Sequence, residues 1–355
     1  MTRYRKKGIS LIALIIITLI AVCIIMLLVN NTRRKKVTVS EGIQVIVNNL
    51  EYNISSDSYH VVSLMNDGTV KSWGSNDNGQ LGDGTTENKG VPTTVSGLTD
   101  VKEIIVGSSY TVALLNDGTV KAWGSNRYGQ LGDGTTEDKL VPTTVSGLTN
   151  VSQLATKNSN TFALLNDGTV KAWGSNRYGQ LGDGTTENKS VPTTVLGLTN
   201  VRQLVTDGIY TLALMKDGTV KAWGWNGNGQ LGDGTKENKL IPTTVSGLTD
   251  VKQILVYYTN VVALLNDGTV KAWGWNGNGQ LGNGTTKDKL VPTTVSDLTD
   301  VSEIVLGFSN TFAILNDGTV KAWGLNNCGQ LGNGTTEDKL IPTTVSGLTD
   351  VSQKP

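Results

Sequence analysis

The side chains best suited to catalysis are scarce in this chain. His60 is the only histidine, and Cys23 and Cys328 are the only cysteines. Cys23 sits in an apolar run and Cys328 lies some three hundred residues away, so they form neither a disulfide framework nor a metal-binding spacing. Catalysis needs a nucleophile beside a base, or two carboxylates whose proton affinities are driven apart. His60 has no counterpart at matching positions, and no histidine lies near Cys328. Carboxylates of the Asp117 type recur with sixfold regularity at turn positions, as architecture requires. Asp83, Asp133, Asp183 and Asp233 lie in glycine-rich loops and could offer oxygen to calcium. Asn283 and Asn333 replace them further on, and no calcium-loop motif with a closing Glu is present. The expectation is a protein that is not an enzyme and carries no cofactor and no metal.

Residues suited to recognition are better represented. They fall where the chain departs from its own repeat. One variable segment holds Tyr110, Tyr210, Tyr257, Tyr258 and Phe308. The other holds Arg127, Tyr128, Arg177, Tyr178, Trp225 and Trp275. Aromatics and Arg are the residue types that binding patches use most. These eleven residues are the candidate ligand- or protein-binding set.

A strict repeat must position them. From Glu51 to Asp350 the sequence restates itself every 50 residues, in units 51–100, 101–150, 151–200, 201–250, 251–300 and 301–350. Trp73, Trp123, Trp173, Trp223, Trp273 and Trp323 mark one position, and Pro92 through Pro342 mark another. A fixed period of this length signals a solenoid, a propeller or an array. Within one unit, Val101–Val106, Tyr110–Leu115, Thr119–Gly124 and Val141–Ser146 read as strands. Asn116-Asp117-Gly118 predicts a tight type I′ hairpin between the second and third. Pro142 donates no ladder hydrogen bond and so belongs on an edge. Four antiparallel strands in a meander describe a propeller blade. The fold class is therefore all-β: a β-propeller of six visible four-stranded blades. In a meander, the first-to-second and third-to-fourth connections emerge on one face, and that face carries both variable segments.

The repeat also carries a family resemblance. Ala113-Leu114, Asp117-Gly118, Val120, Trp123-Gly124, Asn126, Gly129-Gln130-Leu131-Gly132, Gly134 and Pro142 resemble the repeat of the regulator of chromosome condensation family, and the match recurs in all six units. The resemblance implies a propeller with radial blades. The eukaryotic founder is a seven-bladed exchange factor for a small nuclear GTPase, whose exchange wedge has no counterpart here. The Gly-Trp-Arg-His-Thr motif of the plant ultraviolet-B receptor is also missing. Secreted bacterial relatives include a β-lactamase inhibitor, so the resemblance points to a bacterial, membrane-anchored member that binds a protein.

Ahead of the repeats, residues 1–8 form a basic leader and 9–29 an uncharged run of 21 residues. As a helix that run spans roughly 30 Å, one bilayer core. A retained single-pass transmembrane helix is expected. Lys6-Lys7-Gly8-Ile9-Ser10-Leu11-Ile12-Ala13 resembles the start of type IV prepilins, which are cut after that glycine; Ala13 stands where the family has Glu. The resemblance implies an extracytoplasmic propeller at the cell membrane. Residues 30–50 are a basic juxtamembrane linker, in which Val37-Thr38-Val39-Ser40 echoes Thr143-Thr144-Val145-Ser146. This echo suggests that 37–50 pack where the ring closes; an open or truncated seven-blade ring is the alternative. Residues 351–355 form a tail. Eight of the 30 Lys/Arg fall in residues 1–36, so 37–355 carry 22 basic against 30 acidic residues, net −8. An acidic body argues against nucleic acid as partner. A protein or cell-surface ligand is expected. The alternatives are a structural surface-display protein with no specific partner, or a cytosol-facing GTPase regulator.

Overall fold

The computed structural model describes residues 53–349 and Val351. It contains six four-stranded antiparallel sheets, each in plain meander order. Blade 1 is β1 (Asn53–Ser56), β2 (His60–Leu64), β3 (Val70–Gly74) and β4 (Lys89–Thr94). Blade 2 is β5 (Val101–Gly107), β6 (Tyr110–Leu115), β7 (Val120–Gly124) and β8 (Lys139–Thr144). Blade 3 is β9 (Val151–Lys157), β10 (Asn160–Leu165), β11 (Val170–Gly174) and β12 (Lys189–Thr194). Blade 4 is β13 (Val201–Thr206), β14 (Tyr210–Met215), β15 (Val220–Gly224) and β16 (Lys239–Thr244). Blade 5 is β17 (Val251–Tyr257), β18 (Asn260–Leu265), β19 (Val270–Gly274) and β20 (Lys289–Thr294). Blade 6 is β21 (Val301–Leu306), β22 (Asn310–Leu315), β23 (Val320–Gly324) and β24 (Lys339–Thr344). Among the described residues no helix is long and apolar enough to cross a membrane. The expected span at 9–29 and the closure segment at 37–50 lie outside the described residues.

The core lies between blades rather than within them. A β-sheet has two faces, and in blades 2 to 5 radial stacking covers both with a neighbour. One such joint packs Val112, Val120, Leu131, Val145 and Leu148 of blade 2 against Val151, Leu154, Ala163 and Trp173 of blade 3. Burying a side chain the size of Leu contributes about 1.5–3 kcal/mol, so each joint is a substantial store of stability. The indole N–H is satisfied across the same joint. Trp123 Nε1 donates to the Gln80 carbonyl at 3.0 Å, and Trp173, Trp223, Trp273 and Trp323 donate to the carbonyls of Gln130, Gln180, Gln230 and Gln280 at 2.8–2.9 Å. These five indoles are fully buried. Trp73 is half-buried and, among the described residues, makes no such bond. The cluster on the far face of blade 6 (Val320, Ala322, Leu331, Val345) draws no residue from blade 1. Five joints are therefore built alike, and among the described residues no sixth of this kind joins blade 6 to blade 1.

Two local expectations need correction. The Asp-Gly hairpin is not a two-residue type I′ turn. Gly118 N–H donates to the Leu115 carbonyl at 3.0 Å, and Leu115 N–H to Thr119 at 2.9 Å. Only Gly118 has positive φ, +82°, so this is a type I turn followed by a left-handed glycine. The Asp117 carboxylate holds it by accepting from Thr119 N–H at 2.9 Å. The fourth strand also starts two residues early, at Lys139. Its pairing with β7 breaks between the Ala122–Thr143 and Gly124–Lys139 pairs, and Pro142 falls inside that irregular stretch on the blade's outer edge.

Candidate binding face

The two variable segments do share a face, because they are tied to each other. Ser125 N–H donates to the Ser109 carbonyl at 2.9 Å, and the same bond links Ser75 to Tyr59, Ser175 to Ser159, Trp225 to Ile209, Trp275 to Thr259 and Leu325 to Ser309. Each long loop thus begins pinned to the first loop of its own blade.

The long loop itself is held by its repeated polar residues. Asn126 Oδ1 accepts from Leu131 N–H at 2.9 Å, while its Nδ2 donates to the Thr135 carbonyl at 3.1 Å. Gln130 Oε1 accepts from Tyr128 N–H at 2.9 Å. Asp133 accepts from Thr135 N–H at 2.9 Å and lies 3.3 Å from the Lys139 ammonium. Asp83, Asp183 and Asp233 have the same partners in their blades. A lysine cation occupies the place beside these carboxylates.

First loops join neighbouring blades into a belt around the axis. The Asp57 carboxylate accepts from Ser109 N–H of blade 2 at 3.1 Å. Ser108 N–H donates to the Asn158 carbonyl of blade 3 at 2.8 Å. Asn158 Nδ2 donates to the Asp207 carbonyl of blade 4 at 3.2 Å. The Asp207 carboxylate accepts from Tyr258 N–H of blade 5 at 3.1 Å. The belt ends in aromatic contacts: Phe308 of blade 6 meets Tyr258 edge-on at 4.9 Å and Tyr257 at 6.4 Å. Inside the belt opens an axial cavity of about 300 Å³, lined by the inner strand ends of blades 1 to 5, with Asp57, Lys157, Asp207, Tyr257 and Tyr258 on its wall.

The cavity's two carboxylates occupy the same repeat position and behave oppositely. Burial pushes Asp57 up, but the hydrogen bond and charge of His60 outweigh it and hold the carboxyl at about 2. His60 is fully buried; its Nδ1 lies 3.0 Å from Asp57 Oδ1, and its Nε2 lies 3.1 Å from Thr111 Oγ1. Burial pushes Asp207 up to about 7, and the Lys157 charge and Tyr258 N–H offset only part of this. Tyr210 stands where His60 does, and brings no imidazole.

The eleven candidate residues divide in two. Tyr128, Tyr258 and Phe308 are exposed, the last two at 54% and 61%. Arg127 lies 5.8 Å over the Tyr128 ring and Arg177 5.7 Å over Tyr178, both cation–π distances. Trp225 and Trp275 are half-buried because each indole folds onto the glycine two residues on. A Cβ on Gly227 would lie 2.6 Å from Trp225, and one on Gly277 2.5 Å from Trp275. That contact explains why Trp and Gly appear together in these blades. Tyr110 and Tyr210 do not belong on the surface. Both are fully buried, and their hydroxyls donate to the Asn160 carbonyl at 2.8 Å and the Asn260 carbonyl at 3.4 Å in the next blade. They begin a central strand, where the side chain faces the adjacent blade. The residue set also missed Asp57, Lys157 and Asp207. Their signal was available: that repeat position reads Asp57, Gly107, Lys157, Asp207, Tyr257, Gly307, a change of charge sign where the scaffold needs no particular residue.

The regulator of chromosome condensation (RCC1) repeat model matches residues 67–114, 117–164, 167–213, 217–258, 267–314 and 317–354, most of the chain. The chain belongs to the RCC1 repeat family. Among solved structures, human WBSCR16 is similar at a TM-score of 0.66 and 26% identity, covering 87% of this chain and 83% of that one. Yeast RCC1 (Prp20) bound to Kap60 is similar at 0.65 and 22%, covering 83% and 74%. Prp20p of Saccharomyces cerevisiae, described with its binding properties to Gsp1p and histones, is similar at 0.64 and 22%, covering 83% and 76%. These likenesses establish an RCC1-type propeller.

Proposed function

We propose that this chain is a binding module rather than an enzyme, and that its variable-loop face recognises a protein or surface ligand. The observation that carries this reading is the Tyr257–Tyr258–Phe308 cluster at the rim of the axial cavity. Exposed aromatics cost solubility when they stand unpartnered, and they dominate binding energy when covered. Tyr258 also holds φ at +50°, a left-handed conformation that costs a non-glycine residue about 1 kcal/mol or more. Strain of this kind gathers at functional sites. The family supports a protein partner: yeast RCC1 (Prp20) is seen bound to Kap60 and is described with binding properties to Gsp1p and histones.

The reading extends to location. Residues 9–29 would anchor the chain in the cell membrane, with the propeller outside the cytoplasm, which suits an acidic body and a surface ligand. Protease added to intact cells should digest the propeller, with lysed cells as control; protection in intact cells overturns the external location. For the binding face, wild-type protein should retain a defined envelope partner that Tyr258→Ala/Phe308→Ala loses at least tenfold. A variant of the opposite face, Asp217→Asn, should keep it. Equal retention by all three defeats the proposal.

A further inference from the structure

We propose that the axial cavity receives one cationic side chain of the partner, an Arg guanidinium or Lys ammonium, with Asp207 as its counter-ion and the Tyr257–Tyr258 pair as its aromatic wall. This deepens the preceding reading and rests on the variable face being the binding face.

Charge is the first reason. Two carboxylates line the cavity, and only one is already matched. Asp57 has His60 at 3.0 Å. Asp207 accepts one backbone N–H, from Tyr258. Lys157 shares the cavity wall and acts on Asp207 through its charge, but among the described residues it forms no ion pair with it. A buried carboxylate without a paired cation is costly, and a cation entering from outside would relieve that cost. The propeller region's net charge of −8 would also draw such a group in.

The aromatic rim is the second reason. Cations bind the faces of aromatic rings. Tyr257, Tyr258 and Phe308 lie tilted or edge-on to one another, at 5.1, 6.4 and 4.9 Å, so they do not cover each other face to face. The Asp207–Tyr258 hydrogen bond ties the carboxylate to the backbone of the rim residue. The chain already practises this recognition, with Arg127 over Tyr128 and Arg177 over Tyr178.

Size and arrangement complete the case. A cavity of about 300 Å³ has room for one extended side chain and a few waters, each needing about 30 Å³, and it is too small for a folded element. Arg127 and Arg177 stand on the long loops of blades 2 and 3, while Tyr258 and Phe308 stand on the first loops of blades 5 and 6. A partner's cation is therefore repelled from one side of the rim and received on the other, which fixes its orientation.

The test uses the full-length protein in calorimetric titrations with two peptides, Gly-Gly-Arg-Gly-Gly and Gly-Gly-Gln-Gly-Gly. Wild type should prefer the Arg peptide at least tenfold. Asp207→Asn, with its fold checked by circular dichroism, should erase the preference, while Asp217→Asn on an exposed turn keeps it. Tyr258→Gly should reduce it about threefold to tenfold. An Asp207→Asn protein that keeps the full preference, or a wild type with none, overturns the proposal. If the preference is missing yet Tyr258→Ala/Phe308→Ala still loses its envelope partner, this inference fails alone. If that double variant also keeps the partner, the binding face fails with it.

Discussion

The first loops of blades 1 and 4 are two copies of one device with opposite outcomes. In both, an aspartate seven residues into the repeat reaches across to a backbone N–H of the next blade, Ser109 for Asp57 and Tyr258 for Asp207. In blade 1 the chain supplies an imidazole nitrogen three residues later, at His60, 3.0 Å from the carboxylate. In blade 4 the same position holds Tyr210. The first loop has used its charge internally and become a clasp. The second has left its charge facing the cavity. The two loops part most sharply at one position, His60 against Tyr210.

Removing the carboxylates should separate these roles most sharply. Asp57→Ala deletes the acceptor for the N–H groups of Tyr59, His60 and Ser109 and leaves His60 unmatched. We expect a loss of about 3 kcal/mol in chemical denaturation. Asp207→Ala should stay within about 1 kcal/mol of wild type, because one lost hydrogen bond is offset by relief of a buried charge. Equal losses would break the comparison.

Dependence on pH should come next in size. Burial holds the Asp207 carboxyl at about 7 in the folded protein, above the usual carboxylate value of 3.8. The folded state therefore binds the extra proton, and stability rises as pH falls from about 7 toward 4. Burial pushes Glu103 up to about 7 as well, so it adds a rise of the same sign. Asp207→Asn should remove its own share, about 2 kcal/mol once partial exposure is allowed for, visible in thermal melts at pH 4.5 and 7.5. Asp57 has the opposite sign: held at about 2, it stabilises above pH 4 and loses that effect as pH falls toward 2.

Exchanging the decisive residue should give a smaller effect. His60→Gln keeps a hydrogen-bonding side chain but no charge, so the Asp57 carboxyl should rise. We expect a loss of about 1–2 kcal/mol at neutral pH, read as a lower denaturation midpoint, and no change in preference for the Arg peptide. The smallest effect belongs to Tyr258→Gly. Relief of the left-handed backbone should roughly balance the lost ring contacts, leaving stability within about 1 kcal/mol while binding falls.

Much of this organisation was legible in the sequence, for reasons that particular residues make plain. Six copies of one unit exposed Trp123-type and Pro142-type positions without any alignment, and the joint gives the first a physical account: a buried indole that must find a carbonyl. Strand order followed from turn residues and lengths. Tyr110 and Tyr210 were misread because a side chain at the start of a central strand faces the neighbouring blade, which position along the chain alone does not show. The hairpin type was misread because Asp-Gly suits several turns, and the Thr119 hydrogen bonds select among them. Asp57 and Asp207 fall in the variable first loops but outside the candidate set, because a carboxylate's role depends on what lies beside it in the folded ring. His60 was legible as a poor catalyst, but not as the partner of its neighbour three residues back.

The joints have a mechanical consequence. Five of them repeat one arrangement, with Trp123 on Gln80 through Trp323 on Gln280, and no insertion alters the 50-residue spacing. A pull on the ends of the chain meets a series of nearly equal latches. Each blade that gives way should release the same length of polypeptide, about 170 Å when extended. Force against extension should show a regular sawtooth, and its teeth would count the blades one by one.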